Sequence, residues 1–317
     1  MLRWITDCDE GWPEGAGPLG AVTECKLRVG DAAEAGFDWL QSNLSGLFDA
    51  LAVGLEVLIE AILALLQEPP NTGWLYDLRR SEIDYLYPPE WHPILVTLIF
   101  VALVWRLHRG WRVPALVAAG LLFIINQGYW EETTESLTLV LSACVVCMGL
   151  GVPIGIAVAH RPRLYAAMRP VLDLMQTLPT FVYLIPAIVF FGIGMVPGLI
   201  ATVIFVLPAP IRLTHLGISS TPTALIEAAD AFGATPRQKL WKVELPYAAP
   251  QIMAGLNQTI MLSLSMVVIA ALVGADGLGV PVVRALNQVN TGLGFEAGLI
   301  IVVVAILLDR VLRVGRR

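Results

Sequence analysis

From residue 93 onward the chain alternates between long apolar runs and short polar breaks. The runs lie at 93–108, 112–128, 134–159, 171–191, 197–216, 251–275 and 293–312. A helix needs about 20 apolar residues to cross roughly 30 Å of hydrocarbon, so these runs predict seven spans, the first of them short. Residues 37–67 follow a different rule. At about 100° per residue, a helix there gathers Asp38, Ser42, Asp49, Glu56, Glu60 and Gln67 into a narrow arc, with Leu, Ile, Val, Ala and Phe opposite. The pattern predicts an amphipathic helix over 37–68 lying along the membrane surface. The rival is a spanning helix whose acidic stripe packs inside a bundle, and a central Asp alone would cost about 2.5–3.5 kcal/mol on insertion. Residues 1–36, rich in Gly, Pro and acids, read as a flexible tail. Pro69, Pro70, Pro88 and Pro89 mark 69–92 as a connector.

The distribution of Arg and Lys orients the spans. One set of loops and the C-terminal tail hold Arg106, Arg109, Arg112, Arg161, Arg163, Arg169, Arg212, Arg237, Lys239, Lys242, Arg310, Arg313, Arg316 and Arg317. The opposite loops, near 129–133, 192–196 and 276–292, hold only Arg284. The first set therefore faces the cytoplasm, the C-terminus with it, and an odd number of spans puts the N-terminus outside.

Composition agrees with a bilayer as solvent. The chain has 317 residues, 56% of them hydrophobic and only 15% charged, whereas soluble domains carry about 25% charged residues. A net charge of −6 with three lysines leaves no basic patch for nucleic acid. The opening residues lack the apolar stretch of a signal peptide, so insertion is expected to rely on the internal spans. Cys144 and Cys147 sit one helical turn apart in an apolar run and read as small buried side chains rather than metal ligands. Cys8 and Cys25 form a disulfide only if the tail meets an oxidising compartment. His92, His108, His160 and His215 are scattered, three of them at span ends, and make no catalytic triad or zinc motif. No catalytic residue is expected.

The loop at 217–250 is long and strongly patterned. Thr221 with Pro222 reads as an N-cap followed by proline at the first helical position. Gly233 stands where a helix stops in the left-handed conformation. Thr235, Pro236 and Gln238 form a capping-box pattern, and Leu245-Pro246 is expected to end that second helix. The first helix presents Ala228, Ala229 and Ala231 beside Phe232, a small face with one aromatic that suits a partner's groove. An ordinary loop helix packed on the membrane surface fits the same spacing.

Glu227-Ala228-Ala229, then three residues, Gly233, nine residues, Val243, one residue and Leu245-Pro246 resembles the EAA loop of ABC importer permeases, with Val243 in place of the family's Ile. The strings at 171–198, 211–218, 233–246 and 252–279 are similar to the glycine betaine/proline betaine importer permeases. The resemblance implies an all-α integral membrane protein with the ABC importer type I permease core: two accessory spans at 93–133, then a permease domain at 134–313. In that family the loop helix docks into a groove on the ATPase, which assigns ATPase coupling to Glu227, Ala228, Ala229, Ala231, Phe232, Gly233, Leu245 and Pro246. It also implies partners: an ABC ATPase on the cytoplasmic side, an external substrate-binding protein, a second permease copy and membrane lipid.

No Gly-Lys dipeptide exists, so no phosphate-binding loop is present. ATP and Mg are expected on the partner ATPase, with no cofactor on this chain. The chain stops shortly after its last run, so capture of substrate is expected from a separate protein. Polar groups inside spans are candidates for a translocation path: Gln176, Thr177, Thr180, Asn257, Ser263 and Ser265, with Phe181 and Tyr183 as aromatic partners for a quaternary ammonium. Helix-to-helix hydrogen bonding is the simpler reading of the same polar residues. Glycines and prolines inside the runs read as kinks or flexible points: Gly151, Pro153 and Gly155, then Pro179 and Pro186, then Pro208 and Pro210. The function expected is the permease subunit of a bacterial inner-membrane importer for glycine betaine, proline betaine, choline or a similar solute. A permease for an amino acid or sulfonate is the nearest rival. A secondary transporter independent of ATP would need paired charges inside the spans, and the core runs have almost none.

Overall fold

A computed structural model of the chain describes residues 6–7, 26–27, 29–67, 92–108 and 110–312. Cys8, Cys25, all but the last residue of the expected connector, Arg109 and the terminal arginines lie outside these residues. Two compact units divide the chain, Met1–Leu51 and Ala52–Arg317.

In the first unit, β1 (Thr6–Asp7) and β2 (Lys26–Leu27) pair antiparallel, Thr6 opposite Leu27. The same unit holds the start of α1 (Val29–Gln67), which begins well before residue 37. Leu44 breaks the helical path with φ −121° and ψ 16°. The cause lies next to it: Ser42 Oγ and Asn43 Nδ2 both donate to the Trp39 carbonyl, at 3.0 and 2.8 Å. Side chains that bond back to the local backbone compete with the helical ladder.

In the second unit, the rest of α1 lays Leu55 and Ile59 against Ala143 and Leu199 while Glu56 and Glu60 stay exposed. Gln67 Nε2 donates to Thr134 Oγ1 at 2.8 Å. The helices that follow are α2 (His92–His108), α3 (Arg112–Asn126), α4 (Trp130–Ala159), α5 (Pro162–Thr177), α6 (Thr180–Phe191), α7 (Met195–Val206) and α8 (Pro208–Ser219). Next come α9 (Thr223–Ala231), α10 (Pro236–Lys239), α11 (Leu245–Ala271), α12 (Gly279–Gln288) and α13 (Thr291–Leu312).

Among the described residues, four helical stretches are long and apolar enough to cross a membrane: α4, the continuous α7–α8, the 36-residue path from Pro236 to Ala271, and α13. The runs at 93–108 and 112–128 form the shorter α2 and α3, of 17 and 15 residues. The run at 171–191 is not one straight span. It divides between α5 and α6, which meet at 95°. Proline pushes the residue before it into extended backbone, and Leu178, at ψ 137°, precedes Pro179.

One apolar core gathers Val104, Val117, Ile124, Leu139, Leu264, Ile300 and Val304 from α2, α3, α4, α11 and α13. Lipid tails are as apolar as these side chains, so close packing rather than water exclusion must hold the helices together. A close seam is built from small residues. Ala143, Cys147, Gly151 and Gly155 recur every fourth position on α4 and are all buried. A Cβ on Gly155 would lie 2.6 Å from Thr214 Cβ and 2.9 Å from the Ile211 carbonyl oxygen, and one on Gly151 would lie 2.8 Å from Pro210 Cγ. Further along α8, a Cβ on Gly217 would lie 2.9 Å from Ala248 Cβ of α11. Gly151 and Gly155, expected as flexible points, are where α4 and α8 approach most closely.

Polar contacts fix the two ends of this bundle. His108 Nε2 lies 3.1 Å from the Arg310 carbonyl oxygen, setting the C-terminal ends of α2 and α13 side by side. At the start of α4, the buried Ser136 Oγ accepts from the Leu278 N–H at 2.8 Å, seating the turn before α12.

Candidate functional site

The loop between α8 and α11 is two short helices locked into one body. Thr221 does not cap the first. Pro222, at φ −57° and ψ 133°, stands at the cap position, and its carbonyl accepts from the Leu225 N–H at 3.0 Å. Proline supplies the fixed φ for this entry. Thr221 is buried instead, and its hydroxyl finds no hydrogen-bond partner. No residue of α9 is buried. Glu227, Ala228 and Ala231 are exposed, Ala229 is half-buried, and Phe232 is 93% exposed.

Gly233 terminates α9 at φ 74°. Its N–H donates to the Asp230 carbonyl at 2.9 Å, and the Ala234 N–H donates to the Ala229 carbonyl at 3.0 Å, the paired bonds of a Schellman stop. Thr235 and Gln238 then form the expected capping box at the start of α10. Lys239 Nζ reaches back to Asp230 at 2.7 Å and ties α10 to α9.

Leu245-Pro246 does not end the second helix. The chain passes from α10 through a π turn, Leu240–Glu244, directly into α11, with the Leu245 N–H donating to the Leu240 carbonyl. Proline inside a helix lacks a donor and crowds the carbonyl four residues back. A wider turn just before Pro246 relieves that crowding, and π turns occur where one extra residue is accommodated. Glu244 closes the π turn. Its carboxylate is buried and lies 2.9 Å from His160 Nε2, just past the end of α4. The other ring nitrogen of His160 is 2.9 Å from the Ile156 carbonyl oxygen.

The expected path residues are scattered in their surroundings. Gln176, Thr177, Thr180, Phe181 and Tyr183 flank the α5–α6 break. Phe181 is exposed, whereas Tyr183 is buried with its hydroxyl donating to the Met175 carbonyl at 2.7 Å. That bond braces the break. Along α11, Asn257 is half-buried, Ser263 is fully buried with no hydrogen-bond partner, and Ser265 is exposed and donates to the Met261 carbonyl at 3.1 Å.

Residues 151–315 match the family model of the binding-protein-dependent transport system inner membrane component. The chain belongs to this family. It is the membrane-spanning permease subunit of a binding-protein-dependent importer, and an inner-membrane protein. The permease is 44% identical to the glycine betaine transport system permease protein OpuAB of Bacillus subtilis, over 90% of this chain and 93% of that one. It is 48% identical to the glycine betaine/carnitine transport permease protein GbuB of Listeria monocytogenes, over 75% of this chain and 81% of that one. Among solved structures it is similar to the MetNI methionine ABC transporter, with a TM-score of 0.51 and 24% identity over 58% of this chain and 94% of that one. That likeness speaks to the fold.

Three features of the permease's loop escaped the sequence reading. The Asp230–Lys239 clamp, the π turn and the His160–Glu244 contact all join residues whose separation follows no helical period. The one signal available was Glu244 itself, an acid placed next to Leu245-Pro246 at the mouth of an apolar run. Beyond the loop, Arg212 of α8 pairs with Asp173 of α5 at 2.6 Å, a half-exposed contact of the kind that contributes little to stability.

Proposed function

We propose that this permease subunit works as a homodimer with a separate ABC ATPase on its cytoplasmic side and a separate binding protein outside. The ATPase carries ATP and Mg, and this chain binds no cofactor. The observation that carries the proposal is α9: a helix with no buried residue, a small alanine face and a nearly fully exposed Phe232. Such a helix is unfinished without a groove to fill. Glu227, Ala228, Ala229, Ala231, Phe232 and Gly233 make the contact, and Leu245 and Pro246 lead its motion into α11. Because Asp230–Lys239, the Schellman stop and the capping box unite α9 with α10, a push on Phe232 moves both together.

The sidedness supports the same arrangement. The α2 and α13 ends joined at His108 and Arg310 carry Arg106 and Arg310, and the α4 end joined to the loop carries Arg161. Basic ends on one side favour a cytoplasmic position for the loop. The cargo is glycine betaine, proline betaine, choline or a similar quaternary-ammonium solute. Similarity to OpuAB, GbuB and the glycine betaine/proline betaine permease ProW of Escherichia coli, 41% identical over 89% of this chain and 73% of that one, favours this class. The taurine permease TauC of Escherichia coli is 30% identical over 64% of this chain, which keeps sulfonates as the alternative.

The test is Gly233→Val. A left-handed residue with a side chain costs about 1–2 kcal/mol, and a β-branched one resists it most. The variant is expected to insert normally and to lose ATP-driven uptake in vesicles that also hold the ATPase and binding protein. Undiminished uptake would refute the coupling role. Affinities of the binding protein across a panel of quaternary amines and taurine then fix the cargo.

A further inference from the structure

The loop reaches the bundle by two routes. One is covalent: α10 runs through the π turn into α11. A π turn holds one residue more than an α-helical turn needs, so a push along α10 can be absorbed there by local rewinding. The other route is the His160–Glu244 contact, which joins the last residue of that turn to the end of α4.

We propose that His160 and Glu244 form a strut that locks the π turn against α4, so that displacement of the coupling loop drives the α4–α8–α11 seam instead of being lost in the turn. The proposal rests on the coupling role assigned to α9. Both residues are positioning residues, since neither touches cargo or nucleotide.

Three observations carry it. Both ring nitrogens of His160 face oxygens, Ile156 O and Glu244 Oε2, each at 2.9 Å, so the ring is held at two points and cannot swing. The Glu244 side chain is 8% exposed while that of His160 is 47% exposed, so the acid is anchored inside and depends on the histidine as the partner that reaches it from α4. A buried carboxylate left without its partner is costly, which keeps the strut engaged as the loop moves. Finally, the strut lands one turn from the tightest part of the seam: Gly155 immediately precedes Ile156, the carbonyl that orients His160. Force entering at His160 reaches the α4–α8 contact at Thr214 with no flexible segment between.

The experiment measures uptake per ATP hydrolysed in vesicles containing the permease, its ATPase and its binding protein. His160→Ala and Glu244→Gln/His160→Ala are each expected to lower that ratio about tenfold, within the range of typical coupling factors, while ATP hydrolysis continues. His160→Gln keeps an amide N–H where Nε2 stands and is expected to retain most of the ratio. The double variant should be no worse than His160→Ala alone, because one contact is lost in both. If uptake and hydrolysis fall in step, or if His160→Ala leaves the ratio intact, the strut has no coupling role. Absence of ATP-driven uptake by the unaltered protein would overturn the coupling reading itself, and the strut with it. Failure of His160→Gln to restore the ratio that His160→Ala loses would also refute the proposal.

Discussion

Gly155→Ala tests whether the α4–α8 seam is set by close approach. The added Cβ would lie 2.6 Å from Thr214 Cβ and 2.9 Å from Ile211 O, whereas carbon atoms settle about 3.5–4.0 Å apart. Neither neighbour can rotate away, since one is a backbone oxygen and the other is bonded directly to backbone. The helices must therefore part by about 1 Å at this level, which also loosens Gly151 against Pro210. Overpacking of this kind costs about 1–3 kcal/mol, and alanine returns about 0.5–1 kcal/mol through its better helix propensity. The net is a loss of about 1–2 kcal/mol. Gly149→Ala is the matched control, because it sits on the same helix, exposed, with nothing within 4 Å of its Cβ. It should gain the propensity term alone. Heating the detergent-purified variants and measuring the monodisperse fraction gives the order: Gly149→Ala at or above the parent, Gly155→Ala several degrees below it, given about 2–4 °C per kcal/mol for a protein of this size. Equal midpoints for the two variants would refute the reasoning.

Two further predictions concern the ends of the bundle and the broken span. Ser136→Ala leaves the buried Leu278 N–H without its acceptor, a loss of about 1–3 kcal/mol, and amide exchange at Leu278 should accelerate while exchange in α8 is unchanged. Tyr183→Phe removes the bond to the Met175 carbonyl, a loss of about 0.5–1.5 kcal/mol; it should expose the 174–180 segment to faster exchange without altering membrane insertion.

Much of this architecture was legible because single residues dictate it locally. Gly233 stops a helix wherever it stands in this pattern, and Thr235 with Gln238 caps one, so both features lie where the sequence put them. Thr221 was misplaced because a good capping residue and a proline stood side by side, and proline's fixed φ decided which of them took the cap. Apolar content has no direction, so the run at 171–191 predicts one span, yet Pro179, a kink candidate within it, stands where the path turns. Gly151 and Gly155 were read as flexible because glycine weakens an isolated helix. Only the partner helix reveals that they are needed for contact. The His160–Glu244 contact was not legible at all, since the pair lies 84 residues apart in the chain.

The π turn at Leu240–Glu244 makes length, more than composition, the quantity the loop has to preserve. Deleting one residue to either side of that turn, with the wide turn kept, would rotate everything beyond the deletion by about 100° and shift it about 1.5 Å along the axis. Phe232 would then point away from the groove proposed for it although every residue of α9 was still present. Insertions and deletions between Gly233 and Pro246 should therefore be poorly tolerated, and the nine-residue spacing from Gly233 to Val243 is a ruler laid down by helical geometry.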